Sequence, residues 1–228
     1  MISLIFTLKS TPALKLDCSR LTPNGLAGLT MPQVSNLALT NNKTSPKVVD
    51  IFDISGSVSE NIVFKNSNTQ LHFIGHKMKH GQITIEGDCG DFLGANMQGG
   101  TILCNGNAGD RVGDQMRRGL ILIDGDAGDY LASRMIAGTI GVCGSVGKLT
   151  GFAMKRGTIL LNHQPDLHAS FHATMQDCGT HNLPFLAILF KSFQALPSKF
   201  STLENQRVQR FAGDLACNGN GEILVLQP

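Results

Sequence analysis

Met116-Arg117-Arg118-Gly119-Leu120-Ile121-Leu122-Ile123-Asp124-Gly125-Asp126-Ala127-Gly128-Asp129 belongs to a pattern that returns every nineteen residues. The same line opens at Met78-Lys79-His80-Gly81, Met97-Gln98-Gly99-Gly100, Met135-Ile136-Ala137-Gly138 and Met154-Lys155-Arg156-Gly157, with no insertion between rows. Aligned by rows, the sequence has an aliphatic column of Ile83, Ile102, Ile121, Ile140 and Ile159. A second column two places on holds Ile85, Cys104, Ile123, Val142 and Leu161. Glycine fills a column at 87, 106, 125 and 144, another at 90, 109, 128 and 147, and a third at 94, 113 and 151, where the middle row has Ala132. A fixed period near twenty residues marks a repeat whose units bury their apolar faces only on one another.

Apolar residues at x and x+2 have the period of a strand, which disfavours helical solenoids. Leucine-rich repeats share the length, but they need several leucines and an asparagine where these rows carry glycine. The pattern predicts an all-β fold, a right-handed parallel β-helix of about 19 residues per coil, with strands roughly 4.8 Å apart. Glycine columns are expected where coil corners need positive φ or close backbone approach. Replacing Gly125 by Val, or Ile121 by Asp, is expected to break the stack.

Working outward, residues 1–47 form an N-terminal cap, with a strand over 3–8 and then turns set by Pro12, Pro23-Asn24-Gly25, Gly28 and Pro32. Residues 48–163 hold the repeats, with one or two degenerate coils before the five clean rows. Residues 164–228 form a C-terminal extension, in which Pro184 to Phe193 predicts a helix covering the other open end of the stack. Two strands around Cys217-Asn218-Gly219-Asn220-Gly221 follow.

Composition narrows the function classes. Gly is 26 of 228 residues, far above the usual ~7%, Trp is absent, and 42% of residues are hydrophobic, which suits a narrow aliphatic core with many corners. A net charge of +2 does not argue for nucleic acid. Neither a signal peptide nor an apolar run long enough to cross a bilayer is apparent, so a cytoplasmic protein is expected. Cys18, Cys89, Cys104, Cys143, Cys178 and Cys217 include no Cys-x-x-Cys pair and read as reduced thiols, mostly buried.

No catalytic set stands out. Asp91, Asp110 and Asp129 share a column, which invites comparison with calcium-binding β-helices, but the period differs and Lys148 ends the series. Corner carboxylates bonding backbone amides are the other reading. His168, His172, Cys178 and His181 have the residue types of a zinc site without a standard spacing; scattered loop residues are the alternative, and no metal site is assigned. Cations recur beside the row-opening glycine: Lys79, Arg117, Arg118, Lys155 and Arg156, with Arg111 and Arg134 nearby. On one face of a stack these would form a basic ridge for a polyanionic carrier or an acidic partner. A solvated face that blocks edge pairing is equally compatible.

The rows resemble the GXGXG repeat of the formylmethanofuran dehydrogenase C-subunit and, more distantly, the C-terminal domain of the glutamate synthase large subunit. Gly106-Asn107-Ala108-Gly109-Asp110-Arg111-Val112-Gly113, Met116-Arg117-Arg118-Gly119 and Met135-Ile136-Ala137-Gly138-Thr139-Ile140 carry the likeness. Leu21-Thr22-Pro23 and Phe52-Asp53-Ile54-Ser55-Gly56 resemble that family's N-terminal region, and the tail from Arg210 to Leu224 is similar to the C-terminal extension of bacterial members. That resemblance implies a scaffold subunit without catalytic residues, in a formyltransferase/hydrolase complex of formaldehyde oxidation linked to tetrahydromethanopterin and a methanofuran-type carrier. Its partners would be a formyltransferase subunit and an amidohydrolase-like subunit, with no nucleic acid and no membrane. Alternatives are a glutamate-synthase-like structural domain and a free-standing β-helix that binds an anionic ligand. Fewer coils precede the regular rows than in archaeal relatives.

Overall fold

The computed structural model describes residues 3–40, 45–166, 175–204 and 206–227. The five rows form strands β6 (Gln82–Gly87), β7 (Thr101–Cys104), β8 (Leu120–Ile123), β9 (Thr139–Val142) and β10 (Thr158–Leu161). They pair in parallel with one register throughout, Ile83 opposite Ile102, Ile102 opposite Ile121, Ile121 opposite Ile140 and Ile140 opposite Ile159. Both aliphatic columns are therefore continuous and buried.

The ladder is longer than the regular repeat. In front of it stand β1 (Leu4–Leu8), β2 (Leu16–Asp17), β3 (Phe52–Ser55), β4 (Asn61–Ser67) and β5 (Leu71–His72). Strand β4 pairs in parallel with β6, and β1 pairs in parallel with β4, so Leu4 and Ile62 head the isoleucine column while Phe6 and Phe64 head the next. Strand β2 likewise pairs in parallel with β5. Two partial rows thus precede the clean five, and the first is laid down inside the segment expected to be a cap. The remainder of that segment contributes short helices, α1 (Pro23–Leu26) and α2 (Met31–Ser35), with α3 (Val48–Ile51) just beyond it.

At the other end β11 (Gln176–His181), β12 (Val208–Gly213) and β13 (Gly221–Leu226) complete a mostly parallel sheet of eleven strands among the described residues. Strand β13 is another rung: it pairs in parallel with β10, placing Ile223 beside Ile159 and Val225 beside Leu161. The antiparallel pairs β1–β3, β13–β12 and β12–β11 close the two ends of the parallel ladder, protecting edges that would otherwise recruit foreign strands.

Beyond the strands, the rows bond to one another along further tracks. Cys89, Ala108, Ala127 and Val146 form successive parallel bridges. At the turn before each row-opening methionine, Arg111 N–H donates to Asp129 O (2.8 Å) and Gln115 N–H to Ser133 O (2.9 Å). This turn carries positive φ at alternate positions, such as Arg111 (60°), Gly113 (64°) and Gln115 (56°). The middle position points inward, where a Cβ on Gly113 would overlap Ile140 Cδ1. That overlap, added to the left-handed backbone, accounts for the third glycine column.

The helix is where expected but not what was expected of it. Helix α4 (Phe185–Phe193) does not cover the end of the stack. Its Leu186, Phe190 and Phe193 pack with Phe200 and Val208 on Leu103, Leu122, Leu160 and Leu224, the residues between the two core columns. In a strand these point away from the core, so the middle of the sheet is buried on both faces. Phe200 lies over the fourth row because Gly141 leaves room: a Cβ there would sit 2.7 Å from Phe200 Cζ. Asp124 pins the covering segment, accepting from Ser198 Oγ (2.6 Å) and Lys199 N–H (2.9 Å).

With both faces covered, Ile121→Ala and Leu122→Ala are each expected to lower unfolding free energy by about 2–5 kcal/mol, read from urea denaturation. A Leu122→Ala loss like that of an exposed residue would contradict the double burial.

Candidate functional site

The corner columns decide which polar groups are available. Two Asx ladders run from row to row. Asp91 Oδ1 accepts from Asp110 N–H (3.1 Å), Asp110 from Asp129 N–H (2.8 Å) and Asp129 from Lys148 N–H (2.7 Å). Asp88, Asn107 and Asp126 accept in the same way from Asn107, Asp126 and Ser145 (2.7, 2.8 and 2.7 Å). The aspartate column therefore binds backbone amides, the second of the two readings of its sequence pattern. His72 heads the first ladder, its Nδ1 accepting from Asp91 N–H at 2.9 Å.

The seven candidate cations fall into two groups. Lys79, Arg117, Arg118, Lys155 and Arg156 are exposed just after the row-opening methionine, in rows one, three and five, and Lys155 Nζ donates to Cys217 O at 2.7 Å. Arg111 and Arg134 belong instead to the turn before that methionine, and both are held by neighbours. Arg134 grips the buried carboxylate of Asp114 in a bidentate pair, Nε at 3.1 Å and Nη2 at 2.9 Å from Oδ1 and Nη2 at 2.7 Å from Oδ2, with Ser133 Oγ on the same Oδ1. Arg111 has its guanidinium 4.5 Å from the Tyr130 ring centroid and 5.9 Å from that of Phe92.

Those rings belong to a column that the aliphatic and glycine periodicities do not mark: Phe73, Phe92, Arg111, Tyr130 and Leu149 recur at the row period. Phe73 stacks on Phe92 at 4.7 Å, and Tyr130 meets Phe152 edge to face at 6.0 Å. The nineteen-residue spacing of Phe73, Phe92, Arg111 and Tyr130 was the available signal.

The other chemical candidates are more constrained. His168 and His172 lie outside the described residues; His181 Nε2 stands 2.8 Å from Cys178 O, and Cys178 Sγ is 3.5 Å from Gln176 O. Among the described residues no group of three or more His, Cys, Asp or Glu could hold a metal ion. Cys89 and Cys104 are buried free thiols with sulfurs 3.8 Å apart. Their contact and burial raise the Cys89 pKa well above that of an ordinary thiol. Burial, with Asp124 nearby, pushes Cys143 up to about 12. Cys89 and Cys143 are therefore not low-pKa nucleophiles.

Stacked, glycine-cornered rows with a packed interior define a repeat protein whose exterior is the part available to ligands and partners. No protein-family model matches the chain. It is 31% identical over 79 residues to the C-subunit of the formyltransferase/hydrolase complex Fhc of Methylorubrum extorquens, a match covering 35% of this chain and 30% of that one. It is 29% identical over 96 residues to the C-subunit of the tungsten-containing formylmethanofuran dehydrogenase 2 of Methanococcus maripaludis, covering 41% and 35%. These alignments span about a third of the length of the curated relatives. A chain in the crystal structure of the M. extorquens formyltransferase/hydrolase complex (FhcABCD) with methylofuran superimposes with TM-score 0.72 and 29% identity, over 98% of this chain and 100% of that chain. The chain is thus similar to C-subunits of formylmethanofuran dehydrogenase and formyltransferase/hydrolase complexes, along part of its sequence and, by structural superposition, along nearly all of its length. Among the described residues no helix is long and apolar enough to cross a membrane.

Two outcomes follow from these polar groups. Asp114 is buried but Arg134 is half exposed, so Asp114→Ala loses charge-assisted hydrogen bonds without stranding a buried charge and is expected to cost about 1–3 kcal/mol of stability; a urea midpoint within error of wild type would contradict that role. For pH, burial is the largest influence on His72 and His76 and lowers both pKa values, with Lys15 and Lys77 adding to it and Asp17 and Asp91 opposing. The unfolded chain therefore takes up these protons first. Stability is full above the unfolded histidine value of about 6.5 and is lost as pH falls through the depressed folded values. The urea midpoint should drop from pH 8 to pH 5, and less so in His72→Asn, where asparagine retains a ladder acceptor. Equal midpoints at the two pH values would refute the assignment.

Proposed function

We propose that the chain is a non-catalytic scaffold subunit of a formyltransferase/hydrolase-type complex and that its rows are the coils of a right-handed parallel β-helix. The observation that carries this reading is the end-to-end likeness to a chain of FhcABCD at 29% identity, rather than any isolated motif. Three kinds of row-to-row contact support the coil reading: the parallel strands, the Cys89-to-Val146 bridges and the turn bonds before each methionine. The buried polar groups support the scaffold reading, because Asp114 and Asp124 are engaged in holding neighbouring segments together.

In this account a formyltransferase subunit and an amidohydrolase-like subunit perform the chemistry of formaldehyde oxidation to formate, in the cytoplasm. Formyl groups pass between tetrahydromethanopterin and a methanofuran-type carrier on those chains. Arg117, Arg118, Lys155 and Arg156 present positive charge in rows three and five, suited to an acidic tail of the carrier. Arg111 and Arg134 lie in two other columns and contribute less to that patch.

The test is co-purification of the native protein followed by mass spectrometry of its companions, with formyltransferase-like and amidohydrolase-like polypeptides expected in fixed ratio. Recovery of the chain alone, or turnover of a one-carbon substrate by the isolated chain, would overturn the proposal. In the same complex, replacing the four cations by Ala should weaken carrier binding at low salt; unchanged affinity would remove the carrier from this patch.

A further inference from the structure

The turn before each row-opening methionine places large side chains where the backbone disfavours them. Phe73, Phe92, Arg111, Tyr130 and Leu149 all have φ between 55° and 65° (58°, 64°, 60°, 60° and 58°). For a residue with a β-carbon the left-handed region costs about 1 kcal/mol or more, which glycine or asparagine would reduce. The inward column of the same turn is glycine in four rows of five. Composition thus follows backbone preference on the inside of the corner and opposes it on the outside.

What those side chains form is ordered and partly exposed. Phe73 lies on Phe92, Arg111 lies between Phe92 and Tyr130, and Tyr130 meets Phe152, itself 37% exposed. Arg134, half exposed, is fixed beside them by Asp114. Among the described residues no carboxylate lies within ion-pair distance of Arg111. Rings and a guanidinium already held in place lose little freedom on binding, and aromatic residues with arginine are the composition of interface anchors.

We propose that this ridge of side chains is a docking site for another polypeptide of the complex, one that sets a carboxylate on Arg111 and apolar side chains on Phe92, Tyr130 and Phe152. The carboxylate follows from charge complementarity, since Arg111 presents a planar fork of donors that the described residues of its own chain leave without an acid. This inference rests on the scaffold reading above and assigns one surface to it.

The test measures binding of the full-length chain to the purified formyltransferase-type and amidohydrolase-type polypeptides of its own organism. Arg111→Gln and Tyr130→Gly should each weaken one of the two contacts by roughly ten-fold or more. Arg111→Glu should weaken it further, by bringing two like charges together. Tyr130→Gly keeps the fold, because glycine accepts the left-handed backbone, and an unchanged circular dichroism spectrum checks this. Ile188→Ala, on the exposed side of α4, should bind like wild type. If the wild-type chain binds and the ridge variants bind equally well, the ridge is overturned while the scaffold reading stands. Should Arg111→Glu bind no worse than Arg111→Gln, the carboxylate is wrong. A wild-type chain that binds neither polypeptide overturns both readings, and ridge variants that alter only self-association in sedimentation assign the surface to a second copy instead.

Discussion

Row-to-row backbone hydrogen bonding at a constant nineteen-residue offset is the constraint on which every other feature depends. Once the N–H and C=O groups of Ile102 are committed to the neighbouring rows, side chains nineteen positions apart must occupy one column. Aliphatic residues then meet aliphatic residues for the length of the sheet, and Asp91, Asp110 and Asp129 each reach the next amide in the series. A single insertion within a row would put the two core columns and both Asx ladders out of step together. That shared dependence explains why five consecutive rows keep one length.

The rigidity of the offset also bears on function. A turn that recurs at fixed spacing presents its outward side chains as a line, so charge or aromatic character in one column becomes a surface feature several rows long. Here one outward line holds the row-three and row-five cations and another holds rings with Arg111. Neither lies in the core, which is filled by Met, Ile and Leu side chains. The interior of the stack is packed and its exterior is patterned.

Much of this was legible in the sequence because the period is exact in the middle of the chain. Strands β6 to β10, their shared register and the glycine corners follow from the alignment of rows alone. The rung formed by β13 was harder to see, since residues 163–220 interrupt the period, although Gly221-Glu222-Ile223-Leu224-Val225 follows the pattern of Gly157-Thr158-Ile159-Leu160-Leu161. The position of α4 was recorded in Leu103, Leu122 and Leu160, apolar where a single-faced sheet would carry polar residues. Periodicity does not say which way a corner side chain leans. Arg111 and Arg134 therefore read as part of the same ridge as Arg117, although their partners are rings in one case and Asp114 in the other. Asp114 itself gave no signal, because its pairing with Arg134 depends on the turn geometry between adjacent rows.

The stacking register is open to direct measurement by pulsed electron resonance. Spin labels would be attached through Lys79→Cys and Lys155→Cys, four rows apart in one column, with Cys143, Cys178 and Cys217 replaced by Ser. Four spacings of ~4.8 Å give a narrow distribution near ~19 Å, broadened only by the label arms. A broad distribution, or one centred several nanometres away, would contradict a common nineteen-residue stack.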